Sequence, residues 1–484
     1  LAAVGLLFVL LILKIALVLT AKPKITVDYV AEYNRITRPA NYDPNDNAAP
    51  YYQKAFDAFV EMPREFWPSR YINWPVDFNT TEQALFENWL ASNSQAFEFF
   101  KTAANKPYYW LERYPDENNN MLSMQLSDLS LLRHLSVALL WNAKLAAYKN
   151  QPQTAFENII DCYRAGYQKC RTPSLLIEQV VGMELKKAAI DNALIILDKT
   201  HIDSSALKFF QDALQAEFDN DAYVPAFTAE KLSLYDALQM TFIDNGRGTG
   251  RLAWRVAWYY DTLGGVWANR AHRLNCFFGP TRKQIAEQIE KACAISNQII
   301  TQTPWQLKSE GRDYFEEIEK INNSNFLLQL LGINPKIIFD LHYKTRAQTE
   351  ALLAVLAILR FKSDNHRLPA TLDELVSAGY LQSVPMDPYS DGPLVYKPAG
   401  DNFKLYSVGE NFSDDGGSNE VKPESRRRGS AFGTPALDIV YWPVKKLKDP
   451  RKELSAEQME KLRAAKEADI FGTTQDQNSS TSNK

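Results

Sequence analysis

With 484 residues the chain is too long for one ordinary core and calls for two or three domains. Hydrophobic residues at 45% and charged residues at 23% describe a globular protein. A net charge of −4 excludes the bulk positive field that nucleic-acid binders use.

Residues 1–20, LAAVGLLFVLLILKIALVLT, are apolar except at Lys14. About twenty such residues at roughly 1.5 Å each match the hydrocarbon core of a bilayer, so a transmembrane anchor is expected here, with a signal peptide as the competing reading. Lys22 and Lys24 argue for a cytoplasmic body, whereas a single anchor ahead of one large body is the plan of an exported, tethered protein. The expected location is the bacterial inner membrane, single-pass, with a periplasmic body and the membrane itself as a partner. A connector occupies residues 21–50. Its DPNDN, 43–47, starts like a calcium loop, but Ala48 and Lys54 stand where glycine and glutamate belong, so an Asx turn is expected.

Residues 51–344 read as a helical domain, an irregular bundle. Thr80 and Gln83 have capping-box spacing, and Leu132, Leu135 and Leu139 share one face of a helix over 128–149. Thr172 and Pro173 predict a helix start, after which Leu176, Val180, Met183, Ile190, Leu194 and Leu197 keep one face, broken by Lys187. Further helices are expected over 204–217, 227–243, 250–272 and 281–302. Cys162 and Cys170 lie about 12 Å apart along a helix and cannot bridge each other, while pairing with Cys276 or Cys293 stays open beside buried thiols. Trp254, Trp258 and Trp267, with Tyr259 and Tyr260, read as core or as an aromatic surface.

The final third changes character. Residues 345–362 predict an apolar helix, and Thr371 and Glu374 a short capped one ended by Gly379. Strands are expected over 394–396, 402–408 and 437–442, giving a compact α+β module over 345–444 with a small antiparallel sheet. Arg426–Arg428 falls in the last connection, as a solvated loop or a dock for an anion. Residues 445–484 are a charged, helix-prone segment and a polar tail. The glycines of GRGTG, 246–250, lack dinucleotide-loop spacing, and the five histidines form no HExxH or His/Cys cluster. No GxSxG motif is present.

Leu368-Pro369, Leu372–Leu375, Pro385-Met386-Asp387-Pro388, Tyr406-Ser407-Val408-Gly409 and Asp438-Ile439 with Trp442 occur in one order. In that order they resemble the globular part of type II secretion major pseudopilins, over about a fifth of the chain. Large envelope proteins, notably of planctomycete-like bacteria, carry such a module on another body. The resemblance implies a calcium loop after the YSVG strand. Asn411 stands at the family's first loop aspartate, Asp414 and Asp415 compensate, and Asp438 matches the late aspartate. Calcium wants six to eight oxygens from a flexible loop; otherwise Asp-Gly supplies a turn. The chain is thus expected to be mostly α, with an N-terminal transmembrane helix, a helical bundle and a pseudopilin-like module. The expected role is a membrane-anchored, non-enzymatic envelope assembly subunit with protein partners. A glycan-active hydrolase in the helical domain and a type II secretion or pilus-like component are the alternatives.

Overall fold

The computed structural model describes residues 18–62, 80–115, 120–221, 223–257, 272–418 and 437–444, with isolated helical positions at 9, 12, 13, 15 and 16. It is a mostly α-helical bundle with a small three-stranded antiparallel sheet.

The membrane anchor expected over 1–20 is corrected. Among the described residues no helix is long and apolar enough to cross a membrane. Much of that stretch lies outside the described residues, and Val18, within it, packs against a protein core. A run of apolar residues is the same signal for lipid and for protein interior, because lipid tails are about as apolar as leucine. The single-pass inner-membrane location, the membrane as partner and the envelope partners inferred from the anchor fall with it.

Helices α1 (Tyr29–Thr37) and α2 (Ala49–Ala58) lead into α3 (Thr80–Ser92) and α4 (Ser94–Ala104). The DPNDN stretch forms Asx turns: Asp43 accepts from the Asn45 N–H at 2.9 Å and Asn47 from Ala49 at 3.1 Å. The centre of the body is α5 (Ser127–Tyr148), α6 (Pro152–Cys170), α7 (Leu176–Lys199) and α8 (Ser204–Asp219). Helix α7 begins at Leu176 without a side-chain cap, four residues after Thr172. It is buried nearly all round, Lys186 included, which a single-face reading of its sequence misses. Helices α6 and α7 cross closely at two glycines. A Cβ on Gly166 would stand 2.5 Å from the Gly182 carbonyl oxygen, and one on Gly182 2.7 Å from that of Gly166.

Beyond them lie α9 (Thr228–Thr241), α10 (His272–Phe278), α11 (Arg282–Ile299), α12 (Pro304–Glu310), α13 (Tyr314–Asn322) and α14 (Phe326–Leu331). Most of the helix expected over 250–272, with Trp258, Tyr259, Tyr260 and Trp267, lies outside the described residues, as do Arg426–Arg428 and 445–484. Trp254 packs on the second core, its ring 6.4 Å from Phe277. The four cysteines are buried thiols, none bridged to another. Burial pushes the Cys162, Cys170 and Cys293 thiols up to about 12.

Helix α15 (Pro335–Asn365), 31 residues long, ties everything together. Ile338, Phe339 and Tyr343 enter a core shared with α9, α11 and α13, while Ala347–Phe361 enters the core of α2 to α8. The sequence boundary at 344/345 therefore falls inside one continuous helix. After it, Thr371 caps α16 (Leu372–Ser377) and Gly379 takes φ 74, the left-handed turn expected there. Strands β1 (Val395–Ala399), β2 (Asn402–Ser407) and β3 (Ile439–Trp442) pair in that order. Phe403, Leu405, Tyr441 and Trp442 point into the same core as α5 and α6, so the sheet is fused to the body.

Candidate functional site

The residues expected to bind calcium do come together after β2. Asp438, which immediately precedes β3, accepts the Asp415 N–H at 3.2 Å and the Gly417 N–H at 2.6 Å. Asp414 accepts from the Tyr406 hydroxyl at 2.7 Å and the Gly416 N–H at 2.8 Å. Asn411 donates to Asp415 at 2.6 Å and accepts from the Ser413 N–H at 3.1 Å. These side chains thus spend oxygens on the loop's own donors. Among the described residues no three His, Cys, Asp or Glu side chains are grouped to hold a metal ion. Asp387, of the Pro-Met-Asp-Pro stretch, plays a matching part from the other side. Buried at 2% exposure, it accepts from the Ser407 hydroxyl at 2.8 Å and from the Val408 N–H at 2.8 Å, pinning the end of β2.

A larger feature opens where the module meets the body. A cleft of 810 Å³ is bounded by the end of α8, the turn into α12, the middle of α15 and the loop 381–391. Its back wall is one face of α15, since His342, Arg346 and Glu350 follow one another at four-residue spacing. The guanidinium of Arg346 lies 3.5 Å from the Glu350 carboxylate and 5.7 Å from the Phe218 ring. Burial raises the Glu350 carboxyl above its ordinary range, against the pull of Arg346 and of a backbone hydrogen bond from Met386. Burial, with the Lys186 and Arg346 charges, pushes His342 down to about 3, so the imidazole is neutral.

The other walls are set by local chemistry. Thr303 and Gln306 form a capping box with Pro304 in the first turn of α12. The Trp305 N–H, otherwise an orphan of that first turn, donates to the Pro388 carbonyl at 3.1 Å and locks body to rim. Asp219, at the end of α8, accepts from Gln215 at 2.7 Å and from Gln382 of the rim at 3.2 Å. Gln211 joins the same seam, donating to the Tyr380 carbonyl at 2.7 Å and accepting from Arg360 at 2.8 Å. Of these cleft residues, the sequence marks out His342, as one of five scattered histidines, and Pro385-Met386-Asp387-Pro388, as part of a turn. The four-residue spacing from His342 to Glu350 was the available signal, hidden because the helix was expected to begin at 345.

A second constellation of acids has a different character. Arg113 donates to Asp128 at 2.5 and 3.2 Å and to Glu178 at 2.6 Å, and Lys169 reaches Glu178 at 2.9 Å and Asp128 at 3.4 Å. The Tyr33 hydroxyl donates to Glu178 and that of Tyr109 to Asp128. Two cations balance two anions, and all four are buried. This is a clamp joining α1, the 107–115 segment, α5, α6 and α7.

Compared with protein-family models, with curated proteins and with solved structures, the chain matches none.

Proposed function

We propose that this protein acts by binding, as a non-catalytic protein whose ligand seats in the cleft between the helical body and the C-terminal module. The observation that carries this reading is the shared construction of the cleft: Glu350, Arg346 and Asp219 come from body helices, and Gln382 and Pro388 from the rim of the module. Its volume of 810 Å³ falls within the roughly 300–1,000 Å³ of small-molecule sites. Supporting binding over catalysis, Glu350 faces Arg346 on its own helix and His342 is enclosed between Tyr223 and Tyr343. The pseudopilin-like module then serves as a fixed wall. Residues Ala351 to Ile358 of α15 are wholly spent in the body's core, which disfavours polymerisation through that helix.

The test is ligand-induced thermal stabilisation with amino acids, nucleotides, short peptides and oligosaccharides. The control is Ser383→Trp, an exposed rim position whose enlarged side chain fills the mouth. At about ten times Kd, a bound ligand raises the melting temperature of a chain this long by roughly 1–2 °C. At least one class is expected to do so in the wild type and not in Ser383→Trp. Silence from every class, or an equal response in the plugged variant, overturns the reading.

A further inference from the structure

We infer that the ligand of the seam cleft is a short, neutral glycan; this rests on the cleft being the binding site. Charge excludes one large class. Asp219, Glu350 and Asp391 line the cleft against the single guanidinium of Arg346, which already faces Glu350, so phosphorylated and carboxylated ligands meet net repulsion. Backbone chemistry disfavours another. The rim carries Pro385 and Pro388, which have no N–H, and the Pro388 carbonyl is taken by Trp305, so an extended peptide finds no row of backbone groups to pair with.

What the walls do offer suits hydroxyl groups. A sugar hydroxyl both donates and accepts, and it is best met by fixed planar groups that do the same. Gln215 and Gln382 both line the cleft and each spend one N–H on Asp219, which holds both amides in place and leaves their carbonyl oxygens and second N–H groups to a ligand. Asp219 retains further acceptor sites. Glu350 adds carboxylate oxygens beside Arg346 as further acceptors. Trp305 supplies the remaining element: it is half-buried, lines the cleft and is anchored by its backbone to Pro388, and its ring also meets Phe412 at 6.3 Å and the Lys308 ammonium at 5.4 Å. In the inferred complex the C–H face of a pyranose stacks on that ring.

The experiment uses the full chain and calorimetry with three neutral probes, maltotriose, cellotriose and triacetylchitotriose, beside ATP, citrate and triglycine. One trisaccharide or more is expected to bind saturably. Trp305→Ala weakens that binding roughly tenfold, Gln382→Ala about fivefold, and Ser383→Trp abolishes it. Circular dichroism and an unchanged melting temperature establish that Trp305→Ala and Gln382→Ala remain folded. Trisaccharide binding that survives both Trp305→Ala and Ser383→Trp overturns the inference, since the site is then elsewhere. Binding of only ATP, citrate or triglycine, lost in Ser383→Trp, overturns the glycan while leaving the cleft as the site. No binding by any probe overturns the glycan, and with silence across the wider ligand panel it overturns the cleft as well.

Discussion

Arg113→Met keeps most of the buried side-chain volume and removes its charge, leaving Asp128 and Glu178 with the Lys169 ammonium alone. Arg113 is 3% exposed and makes three short contacts, at 2.5, 2.6 and 3.2 Å, to the two carboxylates. Removing one partner from a buried charge cluster costs about 3–5 kcal/mol, because the remaining charge stays out of water without compensation. Proton linkage gives an independent figure of the same order. Burial pushes the Asp128 carboxyl up, but Lys169 and Arg113 more than reverse this and bring it from 3.8 down to about 2. At about 1.4 kcal/mol per unit, that shift contributes roughly 2 kcal/mol of stability. Because the folded value lies below the unfolded one, this contribution is complete above about pH 4 and is lost as pH falls through about 2. Arg113→Met raises the folded value and so moves the acid-unfolding midpoint upward. Urea unfolding followed by circular dichroism at pH 7, with an acid titration, reads both quantities. A loss under about 1 kcal/mol at pH 7 with an unmoved acid midpoint would refute the cluster as a clamp.

Gly166→Ala tests the α6–α7 crossing. Alanine ordinarily gains about 1 kcal/mol over glycine in a helix, but here its Cβ meets backbone 2.5 Å away that cannot swing aside. A net loss of about 2 kcal/mol in urea is expected, and a stabilised variant would contradict the close approach. For the acidic loop, 1 mM calcium is expected to shift the melting temperature by under about 1 °C, because Asp414 and Asp438 already accept protein donors. A rise of several degrees that disappears in Asp438→Asn would assign a calcium site there. In a thiol-reagent titration, Cys162, Cys170 and Cys293 are expected to stay silent in the native protein and to react fully in guanidinium. Rapid native labelling of any of these three would contradict their burial.

Much of the local structure was legible from residue order alone, since its causes lie within a few residues. Thr371 caps α16 through the Glu374 N–H, Gly379 supplies the positive φ that ends the turn, and apolar and polar residues alternate across most of β2. Asp43 and Asn47 make their Asx turns for the same reason. The α7 helix was legible as a helix but not as a central one. Lys186 is buried beside Asp221, which lies 35 positions along the chain, and periodicity cannot announce a partner that distant.

Composition and pattern by themselves therefore determined the helical body, the small antiparallel sheet and the turns that join them, because propensity, capping and alternation act over one or two turns of chain. Tertiary structure alone decided which charges meet. Tyr33, Arg113, Asp128, Lys169 and Glu178 assemble from five separate segments, and each looks like a surface residue in its own helix or loop. It also decided the cleft. Glu350 is a desolvated acid that meets the Met386 backbone of the loop 381–391, and Asp219 and Gln382 meet only across the seam. Desolvation and long-range pairing depend on what covers a residue in space, and that depends on the packing of the whole chain.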